Sequence, residues 1–473
     1  RQLWWGHRIP VWYCDDCHGQ TVATVDPTAC ERCGGKKIRQ DPDVLDTWFS
    51  SGLWPFSTLG WPDDTDDLRY FYPTSVMETG YDILFFWVAR MIMLGMEHMG
   101  DVPFREIYLH GLMRDEDGMK MSKSKGNVAD PLDVVAQYGA DALRFTIITG
   151  SSPGEDMKLY EEKLESSRNF ANKLWQMARF ITGNLPEDYE LPSGEPETWP
   201  NLQPEDRWIL SRHNRTIGEN TRLLDSYQFG EAGRQIYEFL WSEFADWFIE
   251  ASKERLYGDD EEAKATALHV LVHVFERSLR LLHPLMPYVT EEIWQHLPHE
   301  GESLMIAPWP QPAPLDDTAE DAYKDFWQYT RGVRNLVPDE GWGAEARPTL
   351  HTAAGELSEY LSSQHHILAR LARVDAKPIV ADYQALPTSG SPLVSGRLSG
   401  MLVVEVDVDK ERKRLEREIS KLDAEIARAE RQLAKQGFIK KAPPEVVTRE
   451  RDKLERCQTE RGKLQEKLAS LGK

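Results

Sequence analysis

Four cysteines near the start of the chain form two pairs with a spacing typical of a metal site. Two residues separate Cys14 from Cys17 and Cys30 from Cys33, and twelve residues separate the pairs. A two-residue gap lets both thiolates of a pair point at one ion, and two pairs complete a tetrahedron. The pattern favours a structural zinc ion with no open coordination position. The alternative is a set of reduced surface thiols or a decayed site.

Residues 70 to 150 alternate between apolar strand patterns and amphipathic helix patterns. An apolar strand over Tyr70–Val76 leads through a turn containing Gly80 and Asp82 to a helix over Ile83–Met96, and another strand precedes His110. A further helix is predicted roughly over Pro131–Tyr138. This alternation predicts a parallel α/β layer, in which ligands bind at the carboxyl ends of strands. At such a turn Asp82 can accept hydrogen bonds from ribose hydroxyls. The alternative is an ordinary helix N-cap.

The stretch from 118 to 127 carries three lysines between small polar residues, with a glycine near each end. It reads Gly-Met-Lys-Met-Ser-Lys-Ser-Lys-Gly-Asn, and its lysines are Lys120, Lys123 and Lys125. A regular helix or strand gains little from this pattern, which suits a mobile loop that closes on a phosphate. The alternative is a solvated surface loop, which the composition alone would favour.

Residues 43–52 are predicted to form a short strand that runs into a turn of small residues. The sequence Asp-Val-Leu-Asp-Thr-Trp-Phe-Ser-Ser-Gly includes Asp46 and Trp48. A turn at the end of a strand would place both side chains at the mouth of a site. Tryptophan by itself is more often part of a core, and this alternative stays open.

After Tyr160 the chain changes to helical periodicity. Amphipathic segments, among them Glu261–Leu282, alternate with proline-rich connectors as far as residue 314, and the aromatic residues at 240–248 have the spacing of a helix core. Residues 320–407 resemble a small α/β module without evident chemistry. A helical bundle followed by a small mixed module is therefore expected.

The end of the chain has the clearest heptad pattern. Apolar residues recur at intervals of four and three from Leu415 to Leu433, and a second seam runs from Leu454 to Leu471. Two such helices predict an antiparallel coiled-coil hairpin. Residues 408–473 hold 19 Lys and Arg against 13 Asp and Glu, a local charge of +6 in a chain of net charge −22. A basic arm suits contact with an RNA backbone, and the alternative is a solvated or oligomerising hairpin.

Four stretches together resemble the C-terminal half of the catalytic domain of class I aminoacyl-tRNA synthetases. They are Arg1–Tyr13, Asp43–Pro62, Glu78–Met93 and His110–Leu132, the last with its Lys-Met-Ser-Lys-Ser loop. The loop is specific to the class. The Asp-Thr-Trp-Phe-Ser-Ser and Glu-Thr-Gly-Tyr-Asp-Ile-Leu strings, with the terminal hairpin, resemble members that charge tRNA with valine more than those for isoleucine or leucine. The resemblance extends over nearly the whole chain.

The resemblance implies an α/β plus all-α architecture in four parts. These are the C-terminal half of a Rossmann-like catalytic domain over 1–155, with a zinc knuckle at 14–33; a helical-bundle anticodon-binding domain over 156–310; a small α/β linker module over 311–407; and a coiled-coil tRNA-binding arm over 408–473.

The resemblance also implies roles for individual side chains in forming valyl-adenylate from valine and ATP. Lys120 and Lys123 would contact the triphosphate as the catalytic groups, with Lys123 ranked first, and Mg²⁺ would share that duty. Six further positions would bind substrates: Gly80 and Asp82 the ribose, His110 and Gly111 the adenine, and Trp48, with Asp46 nearby, the amino acid.

The partners implied are tRNA(Val), valine and ATP, with structural zinc and Mg²⁺ as metals. Because four of the five cysteines occur in close pairs, a reducing compartment is expected, and the resemblance places the protein in the cytoplasm. No run of 18 apolar residues occurs, so no membrane span is predicted. The resemblance implies a monomer.

One departure from the class limits these implications. The class needs a His-x-Gly-His signature near the start of its nucleotide fold, and no such sequence occurs between Arg1 and Lys473. The inserted editing domain is not seen either. We therefore expect the chain to be the C-terminal part of a longer protein, whose N-terminal half would be its partner, and to form no valyl-adenylate alone.

Two other functions remain open from the sequence. A non-catalytic RNA-binding or scaffold protein would explain the missing signature, but the retained lysine loop and the Gly80–Asp82 turn argue against it. An isoleucyl-tRNA synthetase would keep the chemistry and change the amino acid, and the terminal hairpin argues against that.

Overall fold

The structure is a computed structural model. It describes residues 4, 6–122, 126–190, 192, 194–339, 348–403, 408–434 and 444–470. The chain divides into two compact units, Arg1–Asp317 and Thr318–Lys473. Among the described residues, no helix has the length and apolar character needed to cross a membrane.

The first unit begins with a small antiparallel sheet around the cysteine pairs. Its strands are β1 (Val11–Cys14), β2 (Gln20–Val22) and β3 (Ile38–Gln40), in the order β2-β1-β3. Strand β1 begins at Val11, directly after Pro10, which has no N–H to donate. Before it, Arg8 makes a single bridge to Val44.

Two helices follow the small sheet, and both differ from the predictions. Helix α1 (Thr47–Ser57) covers the small residues expected to form a turn, because the Asp46 side chain caps the helix by accepting from the Trp48 N–H at 3.2 Å. Helix α2 (Asp66–Phe71) covers the first residues of the strand predicted from Tyr70. Thr65 caps α2, and two aspartates in its first turn favour the helix dipole.

A parallel pair of strands forms the centre of the α/β layer. Strands β4 (Thr74–Gly80) and β5 (Phe104–His110) run in register from Thr74 opposite Phe104 to Gly80 opposite His110. The chain connects them through a short 3-10 turn, a π-helical segment over Leu84–Val88 and helix α3 (Ala89–Met99). Buried side chains of Met77, Val88, Met91 and Phe104 join the strands to this connection.

A second parallel pair and two helices complete this part. Strand β6 (Met113–Arg114) pairs with a later strand, β7 (Met157–Lys158), and helices α4 (Pro131–Tyr138) and α5 (Ala140–Gly150) lie between them in sequence. The prediction of a helix over Pro131–Tyr138 is confirmed. Asp130 caps α4 and Pro131 occupies its first turn, where proline is well tolerated.

The remainder of the first unit is a helical bundle. Its helices are α6 (Glu161–Thr182), α7 (Pro204–Asp225), α8 (Phe229–Glu238), α9 (Glu250–Tyr257), α10 (Glu261–Leu282) and α11 (Pro287–Trp294), with a π-helical segment, Phe239–Ile249, between α8 and α9. Phe244 and Phe248 of that segment are fully buried, and Phe244 stacks on Phe275 of α10. These aromatic residues therefore serve as core.

The second unit contains a mixed sheet and two long helices. Its helix α12 (Asp317–Asp339) is followed by β8 (Thr349–Ala353), α13 (Ser358–Leu361), α14 (His365–Ala372), β9 (Asp375–Ala376), β10 (Ser391–Ser395) and β11 (Leu398–Val403), in a sheet of order β10-β11-β8-β9. The buried hydroxyls of Tyr329 and Thr352 lie 3.0 Å apart and join α12 to the sheet.

The last two helices, α15 (Val408–Leu433) and α16 (Pro444–Ser470), pack against each other. Leu415, Ile426 and Cys457 are buried along the predicted seam. Arg461 of α16 pairs with Asp423 of α15 at 3.1 Å, so charged residues flank an apolar seam. The seam accounts for the helical periodicity of both segments.

Asp141, at the start of α5, caps α11 and so connects the two helices. Replacing Asp141 tests this connection between α5 and α11. Its carboxylate is buried and accepts from the N–H groups of Tyr288, at 3.2 Å, and Val289, at 2.6 Å. We expect Asp141→Ala to reduce the free energy of unfolding by about 1–3 kcal/mol, because two backbone N–H groups in the first turn of α11 lose a charged acceptor. Urea unfolding followed by tryptophan fluorescence measures this. The exposed Asp133→Ala is the control, and equal midpoints for the two variants would contradict the capping role.

Candidate functional site

The four paired cysteines converge in the folded chain. The sulfur atoms of Cys14, Cys17, Cys30 and Cys33 all lie within 4.8 Å of one another, and two sulfur–sulfur distances between the pairs are 3.6 Å. A tetrahedron with metal–sulfur bonds of about 2.3 Å has sulfur–sulfur edges of about 3.8 Å. The donor set and its spacing therefore fit a four-coordinate metal ion.

Each cysteine pair is held by the same backbone arrangement. In the first, the Cys14 N–H donates to the Gly19 carbonyl at 2.9 Å; in the second, the Cys30 N–H donates to Gly35 at 2.8 Å. The equivalent residues His18 and Gly34 both have left-handed backbone angles, with φ of 55° and 72°. The sequence thus builds one ligand-holding turn twice.

A second group of predicted residues meets at the carboxyl ends of β4 and β5. Gly80 pairs with His110 in the last register position, and Asp82 lies in the 3-10 turn Tyr81–Ile83, which we call the Asp82 turn. His110 approaches the Glu78 carboxylate at 3.4 Å through Nε2. Parallel strands therefore bring Gly80, Asp82 and His110 to one edge of the layer.

Gly111 allows a later segment to pass directly beside this edge. A Cβ atom at position 111 would lie 1.6 Å from the Glu155 carbonyl oxygen, so no other residue fits without moving the backbone. Around this contact the Gly154 N–H donates to Leu109 at 2.8 Å, and the Met157 N–H donates to Leu112 at 3.1 Å. The segment is thus joined to the end of β5 and to β6 by backbone hydrogen bonds.

The first part of the lysine stretch forms a hairpin, residues 113–122, which we call the lysine hairpin. The Gly118 N–H donates to the Asp115 carbonyl at 2.9 Å, and the Met121 N–H donates to Met113 at 3.2 Å. Lys120 extends from this hairpin, and its Nζ lies 3.2 Å from Asp82 Oδ2. The first loop lysine therefore reaches the Asp82 turn.

The Asn127 side chain holds the lysine hairpin through two hydrogen bonds. The Asn127 side chain accepts from the Ser122 N–H at 2.9 Å and donates to the Asp115 carboxylate at 2.7 Å. Lys123, which the sequence ranked first, and Lys125 fall outside the residues that the structure describes.

Asp156 is a carboxylate that sequence reasoning missed. It accepts from the Leu112 N–H at 2.8 Å, from Arg114 Nε at 2.6 Å and from the Tyr81 hydroxyl at 3.3 Å. The Leu112 N–H and then the Arg114 guanidinium hold its pKa below the usual range for an aspartate. Arg114 and Asp156 are 42 positions apart, so no local spacing indicates the pair.

The structure places Trp48 and Asp46 at the start of α1. The half-buried Trp48 lies 6.4 Å from Phe86 between ring centroids, and the Arg90 guanidinium lies 5.6 Å from the Trp48 ring. The backbone N–H of Trp48 donates to the Asp46 carboxylate, which caps the helix, and this hydrogen bond lowers the pKa of Asp46. Trp48 is thus set beside the helical segments that follow the Asp82 turn.

Comparison with known proteins assigns family models to three stretches of the chain. Residues 1–160 match the model for "tRNA synthetases class I (I, L, M and V)". Residues 206–338 match the "Anticodon-binding domain of tRNA ligase", and residues 407–472 match the "Valyl tRNA synthetase tRNA binding arm". These stretches make up about three quarters of the chain.

Curated relatives agree with the family models. The chain is 49% identical over 469 residues to a valine–tRNA ligase of Dehalococcoides mccartyi strain CBDB1, with 96% of this chain and 52% of the relative covered. It is 45% identical over 478 residues to a valine–tRNA ligase of Carboxydothermus hydrogenoformans, with 100% and 54% covered. The chain thus spans about half the length of the curated relatives it matches.

A solved structure shows the same fold. A LeuRS of Agrobacterium radiobacter K84, in a ternary complex with tRNA and LeuAMS, aligns with a TM-score of 0.52 at 20% identity, over 74% of this chain and 43% of that one. At this identity the likeness concerns the fold alone. The family models and the curated relatives show that the chain belongs to the class I aminoacyl-tRNA synthetases, within the valyl-tRNA synthetase family.

Proposed function

We propose that the full-length protein charges tRNA(Val) with valine through a valyl-adenylate made from ATP. The observation that carries the proposal is the meeting of Lys120 with the Asp82 turn, beside the carboxyl ends of β4 and β5. Asp82 can accept hydrogen bonds from ribose hydroxyls, and Lys120 can bind a phosphate. Their position at one sheet edge therefore suits the binding of a nucleotide.

In this proposal the sheet edge holds the nucleoside part of ATP. Asp82 accepts hydrogen bonds from the ribose hydroxyls, and Gly80 leaves room for the sugar above the end of β4. His110 and Gly111 lie against the adenine at the end of β5. Residues 154–157, which lie directly beside Gly111, hold the end of β5 in position.

Lys120 and Lys123 act on the phosphates. Attack of the valine carboxylate on the α-phosphate breaks the bond to pyrophosphate and builds negative charge on the phosphoryl and leaving oxygens. Lysines that engage this charge mainly in the transition state raise the rate without merely tightening ATP binding. Mg²⁺ bound with ATP supplies further neutralisation of the phosphate charge.

Trp48 forms an apolar wall for the valine side chain in this proposal. Asp46 fixes the first turn of α1 through the Trp48 N–H and so positions Trp48. A cation–π contact with Arg90 also holds the indole of Trp48.

The remaining parts bind tRNA or support the fold. We assign 1–155 as the C-terminal half of the Rossmann-like catalytic domain, 156–310 as the anticodon-binding bundle, 311–407 as the linker module and 408–473 as a coiled-coil arm that contacts the tRNA backbone. The cysteine cluster at 14–33 holds structural zinc. The protein acts as a monomer in the cytoplasm, where its thiols remain reduced.

The adenylate step is tested by valine-dependent exchange of pyrophosphate with ATP in the full-length protein. We expect valine to support exchange faster than isoleucine, and Lys120→Ala to lower kcat by about 10²–10³-fold, because one donor to the developing charge is lost. Lys324→Ala, which removes an exposed lysine on α12, is the control and should keep the wild-type rate. Absence of valine-dependent exchange in the wild-type protein would contradict the proposal.

Zinc is tested by elemental analysis of the purified protein and two cysteine variants. We expect about one zinc ion per chain, lost in Cys30→Ser because a three-thiolate site binds the ion less tightly. Cys457→Ser should retain the ion. The two positions are matched in burial, since Cys30 is 3% and Cys457 5% exposed. Equal zinc contents in the two variants would rule out the cluster as the zinc site.

The arm is tested by deleting residues 408–473 from the full-length protein. Because its basic side chains would neutralise tRNA phosphates, we expect Kd for tRNA to rise by about tenfold or more and its salt dependence to weaken. Valine-dependent exchange should change little. Filter binding at several salt concentrations measures the effect, and an unchanged tRNA affinity would argue against the arm.

A further inference from the structure

We propose that Asp156 is a positioning residue that fixes the lysine hairpin relative to the Asp82 turn. Its carboxylate contacts both: it accepts from Tyr81 of the turn at 3.3 Å and from Arg114 of the hairpin at 2.6 Å. This inference rests on the proposed function, because the consequence of the position is a rate of adenylate formation.

The carboxylate is itself held in place by the backbone around it. The Gly154 N–H donates to Leu109 at 2.8 Å, and the Met157 N–H donates to Leu112 at 3.1 Å. The Leu112 N–H in turn donates to the Asp156 side chain at 2.8 Å. Asp156 is therefore anchored to β5 and β6, and its side chain has little freedom to follow a moving loop.

Arg114 connects the anchored carboxylate of Asp156 to the tip of the lysine hairpin. Two of its nitrogens contact Asp156, and the third, Nη1, donates to the Gly118 carbonyl at 3.0 Å. An antiparallel bridge also joins Arg114 to Lys120. A planar guanidinium with donors in a fixed fork can hold both acceptors at once, so the hairpin cannot tilt without breaking a charged hydrogen bond.

The position matters because Lys120 acts across the gap between the two elements. Its Nζ lies 3.2 Å from Asp82 Oδ2, so one extended lysine side chain spans the distance between the hairpin and the turn. A shift of about 1 Å in such a contact can reduce a rate by about 10²-fold. Because the lysine acts mainly on transition-state charge, the loss falls on kcat rather than on KM for ATP.

Asp325 provides a control for the loss of a half-buried aspartate that is paired with an arginine. Asp156 has a side-chain exposure of 16% and lies 2.6 Å from Arg114 Nε. Asp325, in the second unit, has an exposure of 17% and lies 2.6 Å from Arg397 Nε. A merely structural role for Asp156 predicts that Asp156→Asn, like Asp325→Asn, affects thermal unfolding and leaves kcat of the folded protein unchanged.

The test compares these two variants in the full-length protein by thermal unfolding and by valine-dependent pyrophosphate exchange at varied ATP. We expect Asp156→Asn to lower kcat by about tenfold to a hundredfold and to leave KM for ATP within about twofold. Asp325→Asn should keep both constants. A kcat of Asp156→Asn equal to that of Asp325→Asn, or an effect on KM alone, would overturn the proposal.

A second variant covers the case in which Asp156→Asn does not fold. Arg114→Lys keeps the charge but cannot contact Asp156 and the Gly118 carbonyl together, so kcat should fall by about tenfold with KM retained. An unchanged kcat in this variant would also overturn the positioning role. Failure of the proposed function is distinguishable, because the wild-type protein would then show no valine-dependent exchange.

Discussion

The parallel register of β4 and β5 is the constraint on which the rest of the site depends. It sets Gly80 opposite His110, so that the Asp82 turn and Gly111 leave the sheet at the same edge. The absence of a Cβ at position 111 then lets residues 154–157 run along that edge. This close backbone contact sets the position of the Asp156 carboxylate, and through it the position of the hairpin that carries Lys120.

Local sequence signals predicted the helices well where caps and periodicity agreed. The helices over Pro131–Tyr138 and Glu261–Leu282 are observed as predicted, because each has an aspartate cap and an apolar face. The strand and turn predicted around Asp46 were wrong, because a single capping carboxylate outweighed the turn propensity of small residues. Thr65 likewise caps α2, so Tyr70 lies in a helix and not in the strand predicted for it.

The candidate site could be predicted only in part from the sequence. Motif strings indicated Gly80, Asp82 and Lys120, and the structure brings these residues to one edge. Asp156 and Arg114 could not be predicted, because their pairing depends on a crossover that joins β6 to β7 and leaves no periodic trace in the chain. Loop lysines can be recognised from a motif string in the sequence, whereas the groups that position them are identified only by tertiary contacts.

The duplicated turn around the cysteines has a consequence for how this region can vary. Each turn orders its own two thiols through a hydrogen bond to the glycine that follows it, at Gly19 and at Gly35. The stretch between the turns is not uniform, because β2 pairs with β1 and the Thr21 side chain accepts from the Glu31 N–H of the second turn at 3.1 Å. Insertions and deletions between the two turns are therefore expected after β2, over residues 24–29, provided that the cysteine pairs still meet.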